Sequence, residues 1–458
     1  MDQLNFWIDP VVELPPAVAA AVLAGILAVC LWRVRLGIFL LILTVPLQRF
    51  VVIPGLLGSR FTPHEAAFLS LALSMLVRGG VGFKISPPWT NPIAFPFMML
   101  LFAGVLSLLG NPFAFDGLPE LMIMAYLFLL MHVIYDFCGT PEDALYAYRA
   151  WYLTGIAFIL LATYGVVVQL TGGTSFLMMG PRLMVTFFNP NQTGSFILAT
   201  AFLFLDRASH PLTTRLRRLA NLALVLCSVL AGYFTASRAT VLGGAVGLVI
   251  FLAVRRVRIS AILAVAAMLI AGNFGMSVFQ QQDEHTANLY NTRYSEGLDT
   301  DSRSAEGRLE NWQTGFDAFA RSPVVGIGFG TLYLQSPPTM GESYQVHNTY
   351  ISFLAETGIL GFGALLGIIV LVTRACIQGL RLARGTPYED HMVALIPALA
   401  ALAVFNIFHY GVRARHLWLV IALILAFHRL AARYRASLQV PAIAAAPVPR
   451  LKKAPGLA

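Results

Sequence analysis

Residues 346–372 read VHNTYISFLAETGILGFGALLGIIVLV. The second half is an apolar run of the kind that dissolves in lipid, and a helix needs roughly 20 such residues to cross the hydrocarbon. The first half carries a His–Asn pair and one acid, Glu356. Polar groups at the mouth of a membrane helix are costly if they face lipid. With a helix starting near His347, Asn348, Ser352 and Glu356 fall at i, i+4 and i+8 on one stripe. That stripe is expected to face the bundle interior or a wet cavity, with His347 at its outer end. A neutral imidazole there can act as a general base near pH 7; the plainer alternative is an interfacial histidine that is only hydrogen-bonded.

Runs of this kind recur along the chain. Of its 458 residues 58% are hydrophobic and 12% charged, against about 25% charged in ordinary soluble domains. Spans are expected at 16–32, 36–53, 64–77, 92–109, 118–137, 150–170, 192–205, 219–235, 239–254, 259–274, 348–373, 392–409 and 414–430. The chain is expected to be an all-α polytopic membrane protein of about 12–13 transmembrane helices. The first run follows an acidic start (Asp2, Asp9, Glu13) without a basic leader or small-residue cleavage site, so it reads as a retained helix.

A net charge of +9 raises the question of nucleic acid. The basic residues, almost all arginine, instead cluster in short loops between apolar runs, as at Arg33/Arg35, Arg215/Arg217/Arg218 and Arg255/Arg256/Arg258. This is the positive-inside pattern, and it argues against a nucleic-acid partner and for membrane lipids. It places 54–63, 110–117, 171–191, the Ser237–Arg238 corner, 275–347 and 410–416 on the outer side. The four cysteines show neither metal-ligand nor disulfide spacing.

One outer connection, 275–347, far exceeds the usual ~4–6 residues, and such loops are usually functional or disordered. Within it Leu309, Trp312, Phe316 and Phe319 recur at helical spacing, Ser304 suits an N-cap and Pro323 ends the pattern. An amphipathic helix over 305–321, lying on the membrane face, is expected. The organisation is therefore one integral membrane domain, 1–435, with this long outer loop inside it and a disordered cytoplasmic tail, 436–458.

Three polar features fall on the outer side. Arg238, in Thr235–Ala–Ser–Arg, can stay charged at the interface and reach an anion, or snorkel to lipid phosphates. Arg308 opens the amphipathic helix with Trp312 one turn later; a guanidinium grips phosphate in a planar, bidentate way, or is a solvated charge paired with Glu306 or Glu310. The third is the stripe below His347. Further possible substrate contacts are Arg182, Asn189 and Asn191, and the basic corner of Arg413, Arg415 and His416. Gln48–Arg49 reads as an intramembrane charge within the second span. Asp299–Thr–Asp301 spells DxD without a nucleotide fold, and Asp283–Glu–His285 reads as solvated, so no metal and no cofactor are expected. Gly326, Gly328 and Gly330 lack a βαβ context, which excludes a dinucleotide loop and leaves a flexible turn.

The order of SRAT (237–240), GRLENW (307–312), SPVVGIGFG (322–330) and VHNTYISFLAETGILG (346–361) resembles the O-antigen ligase and polymerase superfamily. The resemblance implies a helical membrane glycosyltransferase of the bacterial inner membrane, working at the periplasmic face. Its donor would be an undecaprenyl-diphosphate-linked glycan and its acceptor a lipid A–core or another glycan. By resemblance, Arg238 and Arg308 hold the diphosphate and His347 activates the acceptor hydroxyl; the stripe of Asn348, Ser352 and Glu356, with Trp312, is expected to support them. A ligase is slightly preferred over a polymerase because the chain is compact. The rival class is a polysaccharide or lipid transporter or flippase. Transporters place their binding residues near the bilayer midplane, whereas these polar residues gather at outer helix ends.

Overall fold

The computed structural model describes residues 12–53, 61–77, 85–173, 175–180, 182–255, 303–335 and 346–439, with only the backbone described over 303–308. The expected span 259–274, the acidic motifs at 283–285 and 299–301, and the tail from 440 lie outside the described residues.

The chain is an all-α polytopic membrane protein. Its helices are α1 (Pro16–Trp32), α2 (Val34–Leu43), α3 (Pro63–Val77), α4 (Ala94–Leu108), α5 (Ala114–Phe137), α6 (Pro141–Leu170), α7 (Pro190–Ser209), α8 (Arg215–Phe234) and α9 (Arg238–Arg255). After the undescribed stretch come α10 (Arg303–Arg321), α11 (Leu332–Gln335), α12 (Thr349–Ala383), α13 (Glu389–Phe405) and α14 (Arg415–Gln439). Two short ribbons tie the connections: β1 (Val12–Glu13) runs parallel to β2 (Phe50–Val51), and β3 (Met178–Met179) antiparallel to β4 (Arg182–Leu183). Among the described residues α5, α6, α8, α9, α12 and α14 are long and apolar enough to cross a membrane, and α1 to α4 are shorter apolar helices.

Packing follows from where the apolar faces point. Of the six long helices α14 is the most buried; it stands at the centre against α5, α12 and α13. Helix α8 is the least buried, and Leu216, Leu219, Leu222, Leu226 and Val229 form an exposed apolar stripe along it at helical spacing. Local chemistry sets the ends. Asn189 caps α7 by accepting from Gln192 N at 2.9 Å, ahead of Pro190, and Thr140 caps α6 by accepting from Asp143 N, ahead of Pro141. Arg429 donates to the Tyr135 carbonyl at 2.7 Å and Arg435 to the Leu382 carbonyl at 3.0 Å, covering carbonyls that the last turns of α5 and α12 leave open. At the same end of the bundle Arg255 bridges Asp390 (2.7 Å) and Asp206 (3.6 Å), joining α9, α13 and α7.

Four expectations change. The second span does not run to 53: α2 stops at Leu43, because Pro46 has no N–H to continue it and disfavours helix at the residue before it. Gln48–Arg49 is therefore outside any helix; Arg49 N donates to the Thr186 carbonyl at 2.9 Å, and its side chain donates to the Phe176 carbonyl. Helix α14 runs through Gln439, beyond the expected start of the tail. The amphipathic helix exists, but it packs on α12, with Trp312 and buried Ala318 turned to Val346, Ile351 and Ala355 and Leu309 and Phe316 exposed. The glycine-rich turn 326–330 is docked into the bundle by the bonds described next.

Candidate functional site

Helix α12 is broken ten residues after its N-cap. Gly358 adopts φ 59°, ψ −163° inside it, a region open essentially to glycine alone. The break frees backbone groups on both sides, and the segment 323–328 takes them up. Ile327 N donates to the Ala355 carbonyl at 3.0 Å and Gly328 N to the Glu356 carbonyl at 3.1 Å. In return Ile359 N donates to the Pro323 carbonyl at 2.9 Å and Leu360 N to that of Val324 at 3.4 Å. The two strands of chain lie so close that a Cβ on Gly358 would run into the Val324 carbonyl, and one on Gly326 into the backbone of Glu356. Asn111 donates to the Ile327 carbonyl, and Phe329 N donates to Ser107 Oγ at 3.0 Å, which fastens the turn to α4 and the start of α5.

The start of α12 is tied to another connection. Asn348 is its N-cap, accepting from Tyr350 N (2.9 Å) and Ile351 N (3.1 Å). Thr349 N donates to the Asn406 carbonyl at 3.0 Å and its hydroxyl to the His409 carbonyl at 2.9 Å. His347, just ahead of the cap, sits at φ 48°, uncommon for any residue but glycine. It is exposed, and its ring stands edge-on to that of His409 with centroids 6.2 Å apart. Among the described residues, the other non-glycine ones at positive φ are Val185 and Ala236, between Arg182 and Asn189 and just before Arg238. Backbone strain of this kind persists where surrounding structure over-determines it, and it clusters at functional sites.

Between these pieces lies a cavity of about 260 Å³. From the expected set it brings together Asn189, Asn191, His347, Ser352, Glu356 and Arg413. Glu356 is 5% exposed; its Oε1 accepts from Leu332 N at 3.4 Å, and its Oε2 is buried without a hydrogen-bond partner. Gln192 Oε1 and the Tyr410 hydroxyl, also on the lining, are buried without partners as well. Burial first, and then the Glu356 carboxylate, hold the Tyr410 phenol well above its ordinary range, so it stays protonated as a donor. Arg413 pairs with Glu120 at 2.6 Å and lies 5.0 Å over the Tyr410 ring.

Among the described residues, the other expected ones do not line the cavity. Arg182 donates from Nε to the Thr235 carbonyl at 2.9 Å, and from Nη2 to Asn191 Oδ1 at 3.2 Å and the Ala236 carbonyl at 3.5 Å. It thus braces the corner that presents Arg238, the half-buried first residue of α9. Arg308 lies on α10, and its side chain is outside the described residues. Two of the expected residues are engaged with other elements. Arg415 turns away and forms an ion pair with Glu65 of α3, both largely buried; a charge that close to the bundle core needs a partner. Trp312 packs in the α10–α12 contact, 6.4 Å from Phe408. His416 is buried behind the cavity, hydrogen-bonded to Ser195 at 3.0 Å.

Sequence reasoning missed Glu120, Gln192, His409 and Tyr410. A signal existed for two of them: Gln192 follows Asn189–Pro–Asn191 by one residue, and Glu120 is an acid at the start of a span. His409 and Tyr410 carried none beyond their nearness to Arg413.

Residues 223–366 match the O-antigen ligase family. The matched stretch opens inside α8, takes in Arg238, α10 and the docked turn, and closes just past the break in α12. No curated protein matches the chain. The matched domain, whose motifs frame the strained corner, the broken helix and the cavity, is what the chain shares with the O-antigen ligase family.

Proposed function

We propose that the protein is a membrane glycosyltransferase whose site opens on the periplasmic face of the inner membrane. It moves a glycan from an undecaprenyl-diphosphate donor to an acceptor hydroxyl held beside His347. The observation that carries this reading is the convergence of His347, Glu356, Asn189, Asn191 and Arg413 on one cavity, bordered by the corner that Arg182 braces under Arg238. In the reaction the acceptor oxygen attacks the anomeric carbon as His347 takes its proton. The bond from that carbon to the diphosphate oxygen breaks, and its electron pair leaves on the diphosphate. Arginines set in advance against that growing charge lower the barrier, and Arg238 and Arg308 supply this without a metal. Direct displacement inverts the anomeric centre.

Complementation tests the reading and separates its two forms. The gene is expressed in one strain lacking its O-antigen ligase and in another lacking its polymerase, and the glycan ladder is read on a gel. Restored transfer in one strain is the expected result, and that strain names the acceptor: lipid A–core for a ligase, a second lipid-linked repeat for a polymerase. Failure in both, with the protein stably expressed, overturns the proposal, as does a product that retains the donor's anomeric configuration.

A further inference from the structure

The cavity beside His347 has a floor whose purpose the transfer chemistry alone does not explain. Three polar atoms of residues on its lining, Glu356 Oε2, Gln192 Oε1 and the Tyr410 hydroxyl, are buried without partners. A buried polar group left unpaired is costly, and a carboxylate most of all. Backbone N–H groups of the 330–332 turn hold the Glu356 carboxyl from one side, and Oε2 is left over. The set comprises two hydrogen-bond acceptors and one hydroxyl that stays protonated. Tyr333 and Phe405 add aromatic surface to the same lining. The volume of about 260 Å³ falls just below the ~300–1,000 Å³ of pockets that enclose drug-sized ligands, so it takes one ring and not a chain.

A ligand that fits donates several hydrogen bonds from its edge, offers an apolar face to aromatic rings and carries no negative charge toward Glu356. A neutral pyranose has these properties. We infer that this cavity is a monosaccharide subsite, in which Glu356 and Gln192 accept hydrogen bonds from hydroxyls of the acceptor's terminal sugar and Tyr410 donates one. The assignment to the acceptor rests on the function proposed above, because His347 lines the same cavity and would face the hydroxyl that reacts. Glu356, Gln192 and Tyr410 then decide which sugar is accepted.

The test separates the two claims by measuring binding without any donor. The full chain in lipid nanodiscs is titrated with methyl glycosides of glucose, galactose, mannose, rhamnose, N-acetylglucosamine, N-acetylgalactosamine and a heptose, followed by saturation-transfer NMR. At least one glycoside is expected to bind. Glu356→Gln, which keeps the shape and replaces an acceptor oxygen by an amide donor, and Tyr410→Phe, which removes one hydroxyl, are each expected to weaken it by about tenfold. The subsite is overturned if no glycoside binds, or if both variants bind as the wild type does. Glycoside binding without transfer in either complementation strain would leave the sugar subsite standing and remove the transferase. In the transfer assay Tyr410→Phe raises the KM for acceptor and leaves that for donor; the reverse pattern overturns the assignment to the acceptor.

Discussion

Replacing Gly358 by alanine tests whether the break in α12 holds the site together. The residue sits at φ 59°, ψ −163°, where a side chain costs of order 1–3 kcal/mol. The new Cβ would also run into the Val324 carbonyl, which is backbone and must move as a unit. Moving it breaks the bonds from Leu360 N to Val324 and from Ile359 N to Pro323, each worth ~0.5–1.5 kcal/mol. Mid-range values give about 4 kcal/mol against the docked state. Amide exchange at Ile327, Gly328 and Ile359 is then expected to accelerate by roughly a thousandfold. Transfer activity falls with it, because Glu356 loses the turn that fixes it. The control is Gly363→Ala in the same helix, where a Cβ meets nothing within 4 Å; there alanine is expected to be neutral or to stabilise the helix by up to ~1 kcal/mol. Wild-type exchange and activity in Gly358→Ala would refute the account of the break.

Other perturbations separate chemistry from support. His347→Ala abolishes transfer while thermal unfolding of the purified protein stays at the wild-type value; wild-type turnover would remove His347 as the base. Arg308→Lys loses the bidentate grip on phosphate and lowers transfer at least tenfold in the ladder assay, with a normal expression level. Arg182→Lys cannot span Thr235, Ala236 and Asn191 together, so it weakens donor binding, read as a rise in donor KM. Arg415→Gln acts on stability: it leaves Glu65 as an unpaired and largely buried carboxylate, at a cost of ~3–5 kcal/mol. Its thermal midpoint is expected to drop, and Glu65→Gln in the same chain to restore part of the loss.

The sequence made the stripe of Asn348, Ser352 and Glu356 visible because helical spacing is a local property. It could not divide their labour. Asn348 spends its side chain on capping, Ser352 lines the cavity, and Glu356 is held between the turn at Leu332 and an unpartnered oxygen. The triad of Arg413, Arg415 and His416 looked like one basic corner, yet the turn that leads into α14 sends them to Glu120, Glu65 and Ser195. Those partners lie hundreds of residues away, and no periodicity in the chain encodes such a pairing.

What the sequence determined by itself was set by composition and period. Long apolar runs make helices, prolines and capping residues end them, and the order of four motifs resembles that of the O-antigen ligase family. The tertiary structure alone decided that the glycine-rich turn is stitched into a broken helix, that His347 stands at positive φ over a cavity, and that Arg182 braces the corner of Arg238. Helix formation pairs backbone groups within a few residues of each other, so it can be read along the chain. The break at Gly358 hands its freed groups to a segment more than two dozen residues upstream, and only packing in three dimensions determines which segment takes them.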